Sequence, residues 1–290
     1  MDTLASLRRK HDGAKDIKSV VRTMKAMAAS NIGQYELAVL SLNEYYHTVS
    51  LGIVAYFRQE KLESLANKKQ TNKICAIVFG SDQGLVGQFN DSLADFVSQS
   101  LKDLPGEKEI WAVGERVQLL LLDDGFKSTH VFPLPSSVNA ITPLVQQILI
   151  KCQEGDEKEV HIFHNKPQSP VGYSAVGQRL LPLDDTWKLS FTNLKWPTKI
   201  GPQVIGGTKP SLLALINEYL FVSLFKACAE SLASENASRL AAMQRAEKNI
   251  EELLENLDRQ FNSLRQSTID EELFDVVSGF EALKDDKEKS

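Results

Sequence analysis

The sequence has little cysteine and no long apolar run, and both shortages narrow the kind of protein it can be. Its three cysteines, Cys75, Cys152 and Cys228, form no CxxC pair and are odd in number. We therefore expect no disulfide framework and no metal site, but small buried thiols in a reducing compartment. No stretch approaches the ~18 consecutive apolar residues of a membrane-spanning helix, and the N-terminus lacks the apolar core of a signal peptide. The chain is expected to be soluble or peripheral to a membrane.

Acidic residues outnumber basic ones overall, but basic residues are concentrated near the N-terminus. The 290 residues carry a net charge of −5, which argues against a general nucleic-acid binder. Seven cations nevertheless lie close together at Arg8, Arg9, Lys10, Lys15, Lys18, Arg22 and Lys25. Solvated helix faces explain most of these charges taken singly, but a basic helix inside a bundle predicts an acidic partner.

Proline and glycine are nearly absent from the C-terminal stretch, which predicts one long helix. Between Ser211 and Leu283 there is no proline, and the only glycine is Gly279. Apolar residues recur every three or four positions at Leu240, Met243, Ala246, Ile250, Leu253, Leu257, Phe261 and Leu264. This spacing is close to the ~3.5-residue repeat of a coiled coil. A helix of roughly 110 Å, at ~1.5 Å per residue, needs a partner along most of its length.

The N-terminal stretch predicts that partner, because its first proline is Pro105 and a seven-residue repeat starts at Leu7. One core position is predicted at Ala14, Val21, Ala28, Tyr35, Leu42, Val49 and Tyr56. The other is predicted at Ile17, Met24, Asn31, Ala38 and Tyr45. A repeat held this long is typical of a coiled-coil helix. The helix is expected to end near Leu65, before a polar link at 67–72.

Between the two helices the pattern changes to short apolar runs typical of buried strands. Strands are predicted at Ile74 to Phe79, Glu109 to Val113, His130 to Phe132 and Val160 to Phe163. Helices are predicted between them at Ser92 to Leu101, Val117 to Leu122 and Val138 to Cys152. This alternation predicts a parallel sheet covered by helices. Short extended pieces are expected at Gln178 to Pro182 and Trp187 to Phe191, followed by breakers from Gly201 to Pro210.

The predicted fold class is therefore α/β plus a long antiparallel coiled coil. The coiled-coil helices occupy residues 1–66 and 211–283, and the α/β domain is inserted between them at 73–205.

No enzyme active site is visible in the sequence. The loop from Gly80 to Gly87 lies after the first strand and before a helix, but it fits neither GxGxxG nor GxxxxGK[ST]. A tight turn in close contact with a neighbouring chain is the favoured interpretation, with phosphate binding as the alternative. His161 and His164 are three apart on a predicted strand, so they face opposite sides and cannot chelate one metal together. We therefore expect no catalytic residue, no metal and no cofactor.

Motifs at both ends, and a loop in the middle, resemble those of one family. The N-terminal stretch is Lys15-Asp16-Ile17-Lys18 through Met24-Lys25-Ala26-Met27-Ala28-Ala29-Ser30. The C-terminal stretch is Ser234-Glu235, Arg239, Ala242-Met243, Ala246 and Asn249, then Phe261-Asn262, Arg265-Gln266, Ile269, Glu272-Leu273 and Val276-Val277-Ser278-Gly279. The loop is Gly84-Leu85-Val86-Gly87-Gln88-Phe89-Asn90. Together they are similar to the gamma subunits of F-type ATP synthases, over about 100 residues at the two ends.

The resemblance implies a fold, an activity and a set of partners. The fold is an antiparallel coiled coil of the two terminal helices that carries a Rossmann-like α/β domain. The activity is mechanical: a central stalk rotates inside three alpha and three beta subunits, with its foot on the epsilon subunit and the membrane c-ring. Nucleotides and magnesium belong to alpha and beta. The resemblance further implies no catalysis by the chain alone, no nucleic acid, no membrane span of its own and a place on the cytoplasmic face of the bacterial inner membrane.

The resemblance also assigns contact residues. Met24 and Lys25 correspond to the residues that face the beta subunit's lever segment, and Arg239 and Gln266, with Arg265 beside it, correspond to those that touch the beta catch loop. Gly84, Gly87 and Asn90 correspond to a loop with a partner-contact or structural role. The sequence departs from the family pattern at Asn31, Asp270, Val86 and Gln88, where lysine, threonine, cysteine and glycine are usual. These departures are compatible with a divergent or alternative bacterial form.

Two other functions stay open at this point. A nucleotide-dependent enzyme would need the loop from Gly80 to Gly87 to bind phosphate. A static coiled-coil scaffold would need only the paired helices.

Overall fold

The computed structural model describes residues 3–59, 73–154, 159–168, 172–183, 187, 191, 194, 196–200 and 208–288. Within these ranges the helices are α1 (Leu4–Gln59), α2 (Phe89–Lys102), α3 (Glu115–Asp123), α4 (Val138–Gln153) and α5 (Thr208–Glu288). The strands are β1 (Lys73–Phe79), β2 (Glu107–Val113), β3 (Ser128–Phe132), β4 (Glu159–Pro167) and β5 (Tyr173–Leu181).

The chain divides into two compact units, each of which contains part of α1 and part of α5. The first unit, here the terminal unit, is Met1–Met27 with Ala241–Ser290. The second unit, here the sheet unit, is Ala28–Leu240. The predicted domain limits of 1–66, 73–205 and 211–283 remain predictions. The polar link at 67–72, the predicted helix end at Leu65 and the breakers at 201–207 lie outside the described residues.

In the sheet unit, five strands form one sheet in the order β3-β2-β1-β4-β5. Strands β1 to β4 pair in parallel, as the alternation of strand and helix predicted, but β5 is antiparallel to β4. A short connection joins β4 to β5, and such a connection cannot make a parallel crossover. The predicted parallel sheet is therefore confirmed for its four strands, and β5, which contains most of the extended piece expected from Gln178, is a further antiparallel strand that makes the sheet mixed.

Both faces of the sheet are covered, which is why its central strand is an unbroken apolar run. On β1, Ile74, Ala76 and Val78 pack in one cluster with residues of α2 and α3. The alternate side chains Cys75, Ile77 and Phe79 pack in a second cluster with α4 and with the paired terminal helices. None of the three cysteines forms a disulfide within the described residues, and Cys75 and Cys228 are buried.

The two terminal helices pair within each unit. In the terminal unit Leu7 and Ala14 of α1 form a core with Leu257 of α5. In the sheet unit α1 contributes Tyr35, Val49, Ile53 and Val54, and α5 contributes residues from Tyr219 to Ala233. The pairing is antiparallel, since ion pairs join Lys25 to Glu247 and Lys18 to Glu251 as one number falls and the other rises. The predicted architecture is confirmed.

The heptad prediction was right for one core position and wrong for much of the other. Leu7, Ala14, Val21, Ala28, Tyr35, Val49 and Tyr56 are all buried. Ile17 and Tyr45, however, are 57% and 44% exposed. The second contact position lies four residues after the first, at His11, Lys18 and Lys25, because acids of α5 face it and make polar side chains the better fit there.

Two further expectations are corrected by the structure. Leu253 is 49% exposed, and Leu254 packs in the core in its place, so the contacts of α5 run through Ile250, Leu254, Leu257 and Phe261. Trp187 and Phe191, predicted as the ends of an extended piece, are helical, and the residues between them lie outside the described part of the chain. The Trp187 ring packs edge-on against Phe191 with centroids 4.9 Å apart, a spacing compatible with one turn of helix.

One helix of the described chain is long and apolar enough to cross a membrane, within Pro210–Ser278 of α5. This is weak evidence for a membrane span, because a core helix of a soluble protein passes the same test, and 44% of that window is buried inside the protein. In the sheet unit, α5 is buried almost continuously from Tyr219 to Asn236.

Candidate partner-contact site

An interhelical set of ion pairs surrounds the first two predicted contact residues, in the terminal unit. The Lys25 ammonium and the Arg22 guanidinium both bind the carboxylate of Glu247, and the Lys18 ammonium lies 2.8 Å from Glu251. His11 Nε2 lies 3.3 Å from the carboxylate of Asp258. Hydrogen bonds from Lys25 and Arg22 hold the pKa of Glu247 down to about 2. Part of the basic N-terminal cluster is therefore neutralised by the chain's own C-terminal helix.

Met24 lies beside this set on a different face of α1. Its side chain is half-buried, while Ile17, Val20 and Met27 are 57%, 58% and 61% exposed. Spacings of three and four residues bring these four side chains onto one face of the helix, here called the apolar stripe. The sequence had assigned Ile17 and Met24 to the internal seam, whereas the structure turns the stripe outward.

Arg239 lies in the sheet unit and is held by a buried acid. One of its guanidinium nitrogens donates to Oε1 of Glu235, one helical turn earlier, and the Glu235 side chain is only 2% exposed. Burial raises the pKa of Glu235, and the charge and hydrogen bond of Arg239 oppose that rise. Glu235 therefore fixes the direction of the Arg239 side chain.

The loop that contains Gly84 and Gly87 lies against the same part of α5. The Ser238 hydroxyl, one residue before Arg239, donates to the Val86 carbonyl. Leu85 and Gly87 have φ angles of 63° and 60°, the left-handed region in which glycine is favoured, and both Gly84 and Gly87 are exposed. Asn90 is buried and closes the loop, since its side-chain amide bonds Ser81 in both directions at 3.0 and 2.8 Å. Asn90 is thus a structural residue of this loop.

The loop also places a carboxylate of its own, that of Asp82, at the N-terminus of α3. The carboxylate of Asp82 accepts from the backbone N–H of Glu115, the first residue of α3, at 3.1 Å, and from that of Leu134 at 3.3 Å. A helix N-terminus of this kind attracts anions, and a fixed carboxylate there repels a phosphate. This arrangement counts against the alternative of a phosphate-binding loop.

Arg265 and Gln266 lie in the terminal unit, on α5, and both side chains are exposed. Beyond them α5 exposes apolar side chains at Ile269, Leu273, Phe274, Val276 and Val277. The structure thus places Met24, Lys25, Arg265 and Gln266 in one unit, and Arg239 with Gly84, Gly87 and Asn90 in the other.

The sequence reasoning missed Glu235, Glu247 and Glu251 as functional neighbours. These acids are visible in the sequence, one turn before Arg239 and on the helix that pairs with the basic cluster. Their roles, however, depend on which faces of α1 and α5 meet, and only the structure shows that. Among the described residues, no group of three or more His, Cys, Asp and Glu side chains is arranged to hold a metal ion.

The chain is similar to known proteins of one family over nearly its whole length. A family model described as ATP synthase matches residues 3–283. The ATP synthase gamma chain of Bdellovibrio bacteriovorus is 24% identical over 298 residues, which cover 98% of this chain and 100% of the relative. That of Trichlorobacter lovleyi is 26% identical, with the same coverage of both chains.

Two solved structures share the fold at low identity. In the rotor of the Euglena gracilis mitochondrial ATP synthase, the matching chain has a TM-score of 0.66 and 14% identity, covering 92% of this chain and 98% of that one. In the central stalk and c-ring of the Tetrahymena thermophila enzyme, the values are 0.56 and 21%, covering 78% and 99%. Since the family model spans nearly the whole sequence and the curated relatives are gamma chains, this chain belongs to the gamma chain family of ATP synthases.

Proposed function

We propose that this chain is the central-stalk rotor subunit of an F-type ATP synthase. It couples ion flow through the membrane c-ring to ATP synthesis or hydrolysis at the beta subunits by rotating inside three alpha and three beta subunits. Its foot contacts the epsilon subunit and the c-ring, and it works as a peripheral subunit on the cytoplasmic face of the bacterial inner membrane. The chain is not catalytic by itself, since the nucleotides belong to alpha and beta.

The observation that carries this proposal is the antiparallel pair of terminal helices with apolar side chains facing outward. In the terminal unit the contact between the helices is closed by Leu7, Ala14 and Leu257 and by ion pairs, so the apolar stripe is not needed for the internal core. Contiguous exposed apolar surface marks a binding surface. Ile17, Val20, Met24 and Met27 therefore suit a surface that bears on surrounding subunits.

The end of α5 offers a second such surface. Arg265 and Gln266 precede the exposed residues Ile269, Leu273 and Phe274. Arginine has five N–H donors in a planar fork, which fits the carboxylates and backbone carbonyls of a partner loop. We assign Arg265 and Gln266 to the beta catch loop, with the apolar end of α5 beyond them.

Arg239 is assigned to the same partner. Glu235 uses one of its nitrogens and leaves further donors available, and the side chain is 16% exposed. A guanidinium already oriented by a buried acid loses less rotational freedom when it binds a second carboxylate. Met24 and Lys25 are assigned to the beta lever segment, although Lys25 also binds Glu247.

Rotation would act through differential binding. A shaft whose two helices carry different side chains stabilises different beta conformations at different angles, so turning it changes nucleotide affinity at each site. A helix pair joined by a packed core and interhelical ion pairs resists bending. This stiffness is required if rotation is to transmit work to the surrounding subunits.

The test is reconstitution of the chain with its alpha, beta, epsilon and membrane subunits, followed by ATP-driven ion pumping. Arg239→Ala with Gln266→Ala is expected to lower pumping by on the order of tenfold, the loss expected for ~1.4 kcal/mol of contact free energy. Arg259→Ala is the matched control, because within the described part of the chain Arg259 donates only to the Glu255 carbonyl of its own helix. Unchanged pumping in the double variant would reject the site assignment.

Arg239→Ala also leaves the buried Glu235 carboxylate without its cation, which costs stability. A second variant, Arg239→Ala with Glu235→Gln, removes the buried charge and separates lost contact from lost folding. Pumping should stay low in both variants, whereas recovery with Glu235→Gln would show that Arg239 acts only in the fold. Attached probes that fail to rotate during ATP hydrolysis would favour a static scaffold, and ATP hydrolysis by the isolated chain would favour an enzyme.

A further inference from the structure

A cavity of about 280 Å³ lies in the sheet unit between strands β4 and β5 and helix α5. The residues that matter for its chemistry are His164 and Lys166 of β4, Gln178 of β5, and Ser223, Lys226 and Glu230 of α5. None of them belongs to the partner-contact residues assigned above. The cavity is therefore separate from the partner-contact site.

The floor of the cavity is a buried ion pair or hydrogen-bonded pair. Nε2 of His164 lies 2.7 Å from Oε2 of Glu230, and the two residues are only 8% and 5% exposed. The other Glu230 oxygen lies 4.0 Å from the Lys226 ammonium. Glu230 thus has partners within the protein and is not a free ligand for a metal ion.

Two buried polar atoms in the same cavity have no such partner. Nδ1 of His164 and the hydroxyl of Ser223 are buried, and no group in the described part of the chain hydrogen-bonds with either. Buried polar atoms in native proteins are nearly always hydrogen-bonded. Both atoms belong to residues that line one cavity, so a single small ligand bound there is a candidate partner for both.

The charge of the cavity selects an anion. Lys166 is exposed at its rim, and Lys226 is half-buried with its ammonium 5.6 Å from the centre of the Tyr46 ring. The residues that line the cavity include these two lysines and one carboxylate, Glu230, which leaves positive charge in excess. A metal cation is disfavoured at such a site, whereas an oxyanion is attracted.

We propose that this cavity binds a small oxyanion of the phosphate class. Two lysines and the Ser223 hydroxyl can donate to several oxygens at once, more donors than a carboxylate of two oxygens requires. His164 Nδ1 can donate as imidazolium or accept from a protonated phosphate oxygen. The volume of about 280 Å³ lies just below the range for ligand sites, ~300 to ~1,000 Å³, which fits a phosphate better than a whole nucleotide. This inference does not depend on the rotor function.

Calorimetric titration of the purified full chain with inorganic phosphate, at constant ionic strength, tests the proposal. We expect saturable binding and a phosphate-dependent rise in the unfolding temperature. Lys226→Gln and Ser223→Ala should each weaken binding by roughly tenfold. Lys248→Gln is the matched control, because its side chain is 78% exposed on the same helix in the terminal unit, and it should bind as the unaltered chain does.

Ser223→Ala removes a buried hydroxyl that has no described partner, so it should fold normally, and its unfolding temperature without phosphate verifies this. Vesicles with and without phosphatidic acid identify the source of the phosphoryl group. Vesicle binding that free phosphate displaces and Lys226→Gln weakens assigns a lipid headgroup, while binding of phosphate alone assigns the free ion. Absence of saturable binding in both assays, or binding by Lys226→Gln and Ser223→Ala as tight as that of the unaltered chain, would overturn the proposal.

Discussion

At the scale of single residues, the surroundings of two glutamates of α5 shift their pKa values. Glu247 accepts from both Lys25 and Arg22, and this double contact keeps its pKa at about 2. Glu235 is the opposite case, because its burial raises the pKa and only Arg239 offsets the cost of the charge. The pKa values of two glutamates three turns apart on one helix are therefore shifted in opposite directions.

Glu247→Gln is expected to lower the unfolding temperature at pH 7, because it removes the acceptor of two charged hydrogen bonds. The carboxylate's pKa is lower in the folded chain than the ordinary glutamate value of ~4.3, so its contribution is complete above that value. The contribution is lost as the pH falls from about 5 towards 2, and the difference between the variant and the unaltered chain should shrink over that range. Thermal unfolding followed by circular dichroism at pH 7, 5, 4 and 3 measures it.

The matched control for this change is Glu252→Gln, on the same helix. Glu252 is 66% exposed, and among the described residues it pairs only with Lys248, at 4.0 Å. Exposed pairs of this kind contribute little. The prediction fails if Glu252→Gln lowers the unfolding temperature as much as Glu247→Gln does, or if the effect of Glu247→Gln does not change with pH.

At the scale of elements, the sequence was sufficient for the existence of the two terminal helices and of the first four strands. Missing prolines, the heptad from Leu7 and the apolar run Ile74 to Phe79 each depend on local spacing, which the sequence contains in full. The pairing of β5 was not predictable in this way, because local spacing does not show that the extended piece near Gln178 joins the sheet at the free edge of β4.

The phase of the helix contact was also beyond the sequence. Ile17 and Lys18 compete for the second contact position of α1, and hydrophobicity alone favours Ile17. The acid Glu251 on the facing helix makes Lys18 the better occupant, and the register that brings these two together is a property of the pair. The partner-contact residues were proposed from motifs, while Glu235 and Glu247, which hold them, became visible only with that register.

The corrected phase predicts unequal costs for two leucines that are four residues apart. Leu257→Ala should destabilise the terminal unit by about 3 kcal/mol, because the side chain is 6% exposed and packs against Leu7 and Ala14. Leu253→Ala should cost less than ~0.5 kcal/mol, because that side chain is 49% exposed. Hydrogen exchange of the amides in 244–264 measures the local opening free energy of this unit. Equal losses of opening free energy for both variants would mean that Leu253 also lies in the helix contact, as the sequence predicted.

At the scale of the whole molecule, the surface of the terminal unit is unusual for a chain that acts alone. The apolar stripe on α1 and the apolar end of α5 together expose Ile17, Val20, Met27, Leu273, Phe274 and Val276. Apolar side chains exposed in contiguous patches are typical of surfaces that another protein covers. The sheet unit carries most of its apolar residues in two internal clusters, and its exposed large apolar residues, such as Leu37, Leu85 and Ile150, lie on different elements.

This contrast predicts where the chain is covered in the assembled complex. Met27→Cys should react with a maleimide in the isolated chain, because Met27 is 61% exposed, and should become protected once alpha and beta subunits are bound. Lys102→Cys, at the end of α2 in the sheet unit, is the control and should react in both states. Cys152, the least buried native thiol, is replaced by serine in both variants, while burial raises the pKa of the Cys228 thiol and keeps it unreactive. Protection of Met27→Cys to the same small extent as Lys102→Cys would mean that the stripe is not a bearing surface, and the rotor proposal would then lack the surface on which it depends.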